Sequence, residues 1–267
     1  MSPAYPADPG VILSAGAVGL LVGSFLNVVI FRGPRLWGLV DGEERGSLAA
    51  PRSYCPACRA TIPASRLIPL VSYVLQKGRC AACGAAISPR YPLVEALGAV
   101  AAVSAVAAFG LSFATLAAAA FGWALIALAF IDLETGYLPD AITLPLIGLG
   151  LVVNGVDLFT PLSDAIIGVA AGFGAFWAIA RSFEALRGKE GLGLGDAKLL
   201  AAIGAWGGWM LLPGVVLVGA VATLLAIGAS KLAGGRTPMD QPVPFGPGLC
   251  AAGFIALLAA PTLLSGL

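Results

Sequence analysis

Apolar runs separated by short polar punctuation fill most of the chain, and one long polar stretch, residues 32 to 92, interrupts them early. The runs lie near residues 11–31, 93–110, 114–131, 141–159, 162–181, 197–212, 213–230 and 247–265. Most approach the roughly 20 apolar residues that a helix needs to cross a hydrocarbon core. The pattern predicts an all-α polytopic membrane protein with about eight transmembrane helices. Several runs are rich in Gly and Ala, which lets helices approach closely where lipid removes the hydrophobic drive to associate. Residues 1–31 are expected to hold the first helix, 32–92 a polar insertion and 93–267 the main membrane domain. Met1 to Gly10 carry no Lys or Arg, so the first run lacks the basic flank of a signal peptide and reads as a retained helix.

Composition agrees with this class. Hydrophobic residues make up 59% of the chain and charged ones 11%, with a mean hydropathy of +0.95. The lipid bilayer is therefore the first partner. The net charge of +1 hides an asymmetry. Nine of the 15 basic residues fall between the first two runs: Arg32, Arg35, Arg45, Arg52, Arg59, Arg66, Lys77, Arg79 and Arg90. Arg181, Arg187, Lys189, Lys198, Lys231 and Arg236 reach the same side when eight spans are counted. The opposite loops hold Asp8, Asp157 and Asp164. Positive charge marks the cytoplasmic side, which places both termini outside. Nucleic acid is not an expected partner, because no basic stripe is interleaved with aromatics.

The same count puts Asp132, after an inward run, and Asp196, before an outward one, at the cytoplasmic face. Ionisable groups at a membrane boundary are costly and are functional candidates by default. Two interacting carboxylates share a proton and so offer a base and an acid together, the combination that peptide hydrolysis needs. Gly193 and Gly195 would let an extended substrate backbone approach Asp196. The structural alternative is that Asp196 caps the following helix and Asp132 lies in a solvated loop. The chain contains no histidine, which removes Ser-His triads, Cys-His dyads and HExxH metal sites. Lys198 could form a Ser-Lys dyad, but no serine stands beside it; it could otherwise bias Asp196 or reach headgroups. Glu134 and Asp140 are alternative first acids, and Asp132 is preferred because it directly ends the apolar run. Asn27 reads as interhelical glue or a supporting site residue. Glu95 reads as an interfacial partner of Arg90 or a contact for a basic substrate segment. A transporter with intramembrane carboxylates is the alternative function, although its carboxylates would sit near the midplane in repeat-related positions.

Inside the polar insertion, Cys55-Pro-Ala-Cys58 and Cys80-Ala-Ala-Cys83 form two CxxC pairs 21 residues apart. In a reducing compartment that spacing predicts a tetrahedral zinc site, with a redox pair or two disulfides as the alternatives. Four thiolates close the zinc shell, so the metal would be structural. Cys250 lies alone in the last run and receives no role.

Beyond these readings, the chain resembles the bacterial prepilin peptidases, membrane aspartic proteases of the GxGD type. The resemblance rests on Gly23-Ser24-Phe25-Leu26-Asn27 through Phe31-Arg32, Pro51 to Cys58, Ile68 to Tyr73, Cys80 to Cys83 and Arg90 to Glu95. It continues through Ile131-Asp132-Leu133-Glu134, Leu138-Pro139-Asp140, Gly193 to Lys198 and Pro244-Phe245-Gly246-Pro247. It implies a bacterial inner-membrane enzyme that cleaves the basic leader of type IV prepilins and pseudopilins at the cytoplasmic face. Asp132 and Asp196 would then be catalytic and residues 93–267 the peptidase domain. It also implies N-methylation of the new amino terminus from S-adenosylmethionine, an activity associated with the zinc-binding insertion.

Overall fold

The computed structural model describes residues 8–41, 46–187, 193–232 and 244–264. Arg45, Lys189 and Arg236, which contribute to the charge asymmetry, lie outside them. Regular structure among the described residues is helical, apart from two isolated β-bridges. The helices are α1 (Pro9–Leu36), α2 (Val71–Leu75), α3 (Arg90–Phe109), α4 (Phe113–Thr135), α5 (Asp140–Asn154), α6 (Leu162–Arg187), α7 (Leu194–Gly207), α8 (Leu212–Leu232) and α9 (Gly246–Leu264).

All but the short α2 coincide with the eight apolar runs. By length and apolar content, however, five segments suffice to cross a membrane: α1, α3, α4, Leu162–Phe183 of α6, and Trp209–Leu232 around α8. Among the described residues the expected count of eight full spans is thus not confirmed. The run at 197–212 breaks at Gly208, whose φ of +78 ends α7 after 14 residues. At about 1.5 Å per residue, α7 reaches only about two-thirds of a roughly 30 Å core. The run at 141–159 stops at Asn154 instead of continuing. The side chain of Asn154 turns the chain there, accepting from the Phe159 and Thr160 amides at 3.0 and 3.2 Å.

The chain divides into two compact units, Met1–Ala127 and Leu128–Leu267, with α4 running through the division. In the first, α1 and α3 meet backbone to backbone. A Cβ on Gly19 would collide with the carbonyl of Gly98, and one on Gly23 would stand 2.6 Å from the Glu95 Cα. Gly19 and Gly23 are one helical turn apart, the spacing that opens a groove for a partner helix. Asp8 begins α1 by accepting from the Gly10 amide at 2.7 Å, with Pro9 at the first helical position.

In the second unit the same device joins α6 to α7. A Cβ on Gly168 would meet the backbone of Gly204, and one on Gly172 would meet the Leu200 carbonyl at 2.7 Å. The far end of α7 is tied to α5. The Asn154 amide donates to the carbonyls of Ala205 and Trp206 at 2.8 and 3.0 Å, and the Trp206 indole donates to the Leu146 carbonyl at 2.8 Å. These bonds satisfy carbonyls that a helix end would otherwise leave unpaired. They fix the short helix that carries Asp196.

Candidate active site and metal centre

Asp132 lies in the last turn of α4 and is 6% exposed. The Thr135 hydroxyl donates to the Ile131 carbonyl at 2.8 Å, and the Gly136 amide closes the helix on the Asp132 carbonyl at 2.8 Å. Gly136 then takes a φ of +71, a left-handed exit suited to glycine. Asp196 lies in the first turn of α7, half-buried. The helix is capped by Gly193, with no side-chain cap bond, so Asp196 does not serve as the N-cap. Far apart in sequence, the two carboxylates lie close enough for the charge of Asp132 to act on Asp196.

Their settings differ. A helix N-terminus favours negative charge and a C-terminus disfavours it. Asp196 therefore occupies the favourable end of α7, and Asp132 the unfavourable end of α4. Asp132 is compensated by α9, whose first amide, that of Gly246, donates to its Oδ2 at 3.1 Å. Cys250, one turn further along α9 and 3% exposed, feels the charge of both aspartates.

The alternative acids are placed elsewhere. Glu134 is exposed in the same last turn of α4 as Asp132. Asp140 pairs with Lys198, whose Nζ donates to its two carboxylate oxygens at 2.6 and 2.8 Å. Lys198 thus ties the start of α7 to the start of α5. The glycine pair is also divided. Leu138 packs on Gly195, where a Cβ would stand 3.1 Å from its own, whereas a Cβ at Gly193 would, among the described residues, meet only the Gly195 nitrogen at 3.9 Å. The open flank is that of Gly193.

In the first unit, Asn27 is buried and its amide donates to the carbonyls of Gly23 at 3.3 Å and Tyr91 at 3.0 Å, so it bonds α1 to α3. Glu95, also buried, accepts from the Leu70 amide at 2.8 Å and anchors the insertion to α3. The Arg90 guanidinium stacks over the Tyr91 ring at 4.6 Å.

The four cysteines come together in two knuckles of matching design. In the first, the Cys55 amide donates to the Ala60 carbonyl and the Arg59 amide to the Cys55 carbonyl. In the second, Cys80 donates to Ala85 and Gly84 to Cys80. Bridges Tyr54↔Thr61 and Arg79↔Ala86 close both turns, and Arg59 and Gly84 take the same left-handed backbone, φ +58 and +74. The sulfurs of Cys55, Cys58, Cys80 and Cys83 lie within 4.8 Å of one another, and those of Cys55 and Cys83 are 3.9 Å apart. Metal–sulfur bonds of about 2.3 Å in a tetrahedron separate sulfurs by about 3.8 Å, so the donor set fits such an ion. Backbone hydrogen bonds from Ala82 and Cys83, with help from the Cys55 thiol, lower the Cys80 thiol to about 6. Cys80 thus favours the thiolate, the form that binds metal, whereas at Cys83 a backbone bond from Ala85 is outweighed by thiol hydrogen bonds and burial, which push the thiol up to about 11.

Sequence reading missed three residues. Gly246 was visible only within its motif, and Asn154 gave no signal beyond being polar in an apolar run. Arg32, 4% exposed, donates to the Ser47 and Pro51 carbonyls at 2.8 Å and anchors the chain leaving α1.

Comparison with known proteins extends across the chain. Residues 17–109 match the bacterial peptidase A24 N-terminal domain, and residues 119–228 match the type IV leader peptidase family. The chain is 45% identical over 256 residues to the prepilin leader peptidase/N-methyltransferase of Aeromonas salmonicida (strain A449), covering 90% of this chain and 87% of that protein. It is 44% identical to the protein of that name from Burkholderia pseudomallei (strain K96243), covering 90% and 82%. With that of Neisseria gonorrhoeae the identity is 42%, covering 97% and 94%. No solved structure matches significantly.

Proposed function

The chain belongs to the type IV leader peptidase family, and we propose that it is a membrane aspartic endopeptidase that removes the leader of type IV prepilins and pseudopilins and then methylates the new amino terminus. The observation that carries the peptidase reading is the pair itself: a buried Asp132 and a half-buried Asp196, brought from two helices within range of each other's charge. A pair holding one proton hydrolyses a peptide as follows. The ionised carboxylate takes a proton from water, the water oxygen bonds to the scissile carbonyl carbon, and the protonated partner gives its proton to the carbonyl oxygen. On collapse the C–N bond breaks, the amine takes the proton drawn from water, and the other carboxylate recovers one from the diol. One acid and one product amine result, and the pair again holds a single proton. The open flank of Gly193 is where an extended substrate backbone can run beside Asp196.

Methylation uses S-adenosylmethionine as the donor, and relatives carry both activities in their name. Zinc is the ion assigned to Cys55, Cys58, Cys80 and Cys83. Four thiolates leave no position for water, so its role is to fold the insertion, not to hydrolyse. Family membership supports a bacterial inner-membrane location, and the nine Lys and Arg between the first two apolar runs, with α3 and α4 each long enough to span, support Asp132 facing the cytoplasm, where a basic leader remains. Nothing in the comparisons favours the transporter alternative.

The test is incubation of the purified protein with a prepilin, followed by mass measurement. A product lacking the leader is expected, one methyl group heavier when S-adenosylmethionine is present. An unchanged prepilin would overturn the peptidase reading.

A further inference from the structure

Asp132 is a carboxylate buried at the wrong end of a helix dipole, and the group that compensates for this comes from α9. The first turn of α9 has few donors to give, because Pro247 has no amide hydrogen and the Leu249 amide is committed to the Phe245 carbonyl at 3.2 Å. The Gly246 amide is spent on Asp132 Oδ2. Residue 246 must also lack a side chain, since a Cβ there would stand 2.5 Å from Oδ2 and 3.1 Å from the Asp132 Cγ. We propose that Gly246 is a positioning residue for the hydrolytic pair: its amide holds Oδ2 of Asp132, leaves Oδ1 as the reacting oxygen, and stabilises the singly protonated pair.

This rests on the reading of Asp132 and Asp196 as that pair. A fixed N–H bonded to a carboxylate favours the charged form, and because the two acids titrate together the benefit belongs to the pair. Among the described residues, Asp196 on α7 and Cys250 on α9 are the titratable groups that interact with Asp132.

The experiment measures prepilin cleavage by the purified full-length protein across pH. Gly246→Ala should lower kcat about 100-fold with KM within about threefold, and move the acid limb of kcat/KM to higher pH by about one unit, as expected for lost orientation and a lost charge-stabilising bond. Gly248→Ala is the control. Its Cβ would stand 2.5 Å from Thr223 Oγ1 and 2.6 Å from the Gly219 carbonyl oxygen, a crowding in the same turn that falls on α8 and spares Asp132. It should keep the wild-type acid limb.

A second measurement needs no crowded variant. Labelling Phe carbonyl carbon and Gly nitrogen together selects the Phe–Gly pairs, which occur only at 109–110, 121–122, 173–174 and 245–246. Ala variants at Gly110, Gly122 and Gly174 assign the other three signals. The Gly246 amide signal should titrate along the acid limb in the wild type and lose that titration in Asp132→Asn. A Gly246 signal flat with pH, or a Gly246→Ala enzyme with wild-type kcat and acid limb, would overturn the inference. Activity retained in Asp132→Asn or Asp196→Asn would instead overturn the pair on which it rests.

Discussion

The cysteine cluster and the aspartate pair are assembled in opposite ways. Each knuckle sets two sulfurs by hydrogen bonds within a few residues, and the cluster needs only two such turns to meet. The aspartates occupy helix ends, and their proximity depends on where whole helices lie. α7 is held by glycine contacts to α6, by Asn154 from α5 and, through Lys198, by Asp140. A site made of local turns fails with its ligands, whereas a site made by packing fails also when a distant contact is filled.

The sharpest test of that contrast removes charge without altering shape. Asp132→Asn and Asp196→Asn should each reduce leader cleavage by at least ~10³-fold, because neither amide can exchange the proton. Thermal unfolding of both variants should stay near wild type or rise, since a buried charge is removed. Single-turnover assays and melting curves decide; appreciable turnover in either variant would remove that residue from the pair.

Replacing any one of Cys55, Cys58, Cys80 or Cys83 with Ser should have the reverse signature. Bound zinc should fall from about one per chain toward zero, the insertion should become sensitive to proteolysis, and methyl transfer should be lost. Cleavage should fall by less than about tenfold, since the hydrolytic water belongs to the aspartates. Elemental analysis and parallel cleavage and methylation assays measure this. A variant that keeps its zinc would remove that thiol from the shell.

A packing test separates the sites further. Gly168→Val would drive a side chain into the Gly204 backbone, whereas at Gly174 on the same helix an added Cβ would meet nothing within 4 Å among the described residues. The first should destabilise the second unit by ~1–3 kcal/mol and lower cleavage with it, and the second should do neither. Zinc content should be unaffected in both. Equal effects from the two substitutions would mean that the α6–α7 contact does not set the site.

These contrasts also explain what could be read beforehand. CxxC spacing reports directly on a metal site because the ligands are close in sequence, and apolar runs report on helices because their period is local. Asp132 and Asp196 were visible as charges bordering apolar runs. Their environment was not, because Gly246 acts from α9 and Asn154 from α5, and nothing in the sequence gives the order in which helices pack. The count of eight spans is left unconfirmed for a related reason. Hydropathy runs smoothly through Gly207 and Gly208, so it does not register the backbone reversal that cuts α7 short.

The smallest effect is expected at Lys198 and Asp140. Lys198, a candidate influence on Asp196, and Asp140, an alternative catalytic acid by sequence, bond to each other, with side chains 28% and 53% exposed. Water and salt screen so exposed a pair, leaving it worth well under ~1 kcal/mol. Asp140→Asn and Lys198→Met should therefore lower the melting temperature by no more than a few degrees, and the double variant should add little to either. Leader cleavage should stay within a few-fold of wild type in all three, with reduced sensitivity of stability to salt. The informative comparison is Asp140→Asn against Asp132→Asn in one assay. Both remove a single negative charge next to the 133–139 turn, but only Asp132 is buried and bonded to α9. If Asp140→Asn were as inactive as Asp132→Asn, burial and contact with α9 would not be what distinguishes the catalytic acid, and the pairing of Asp132 with Asp196 would have to be abandoned.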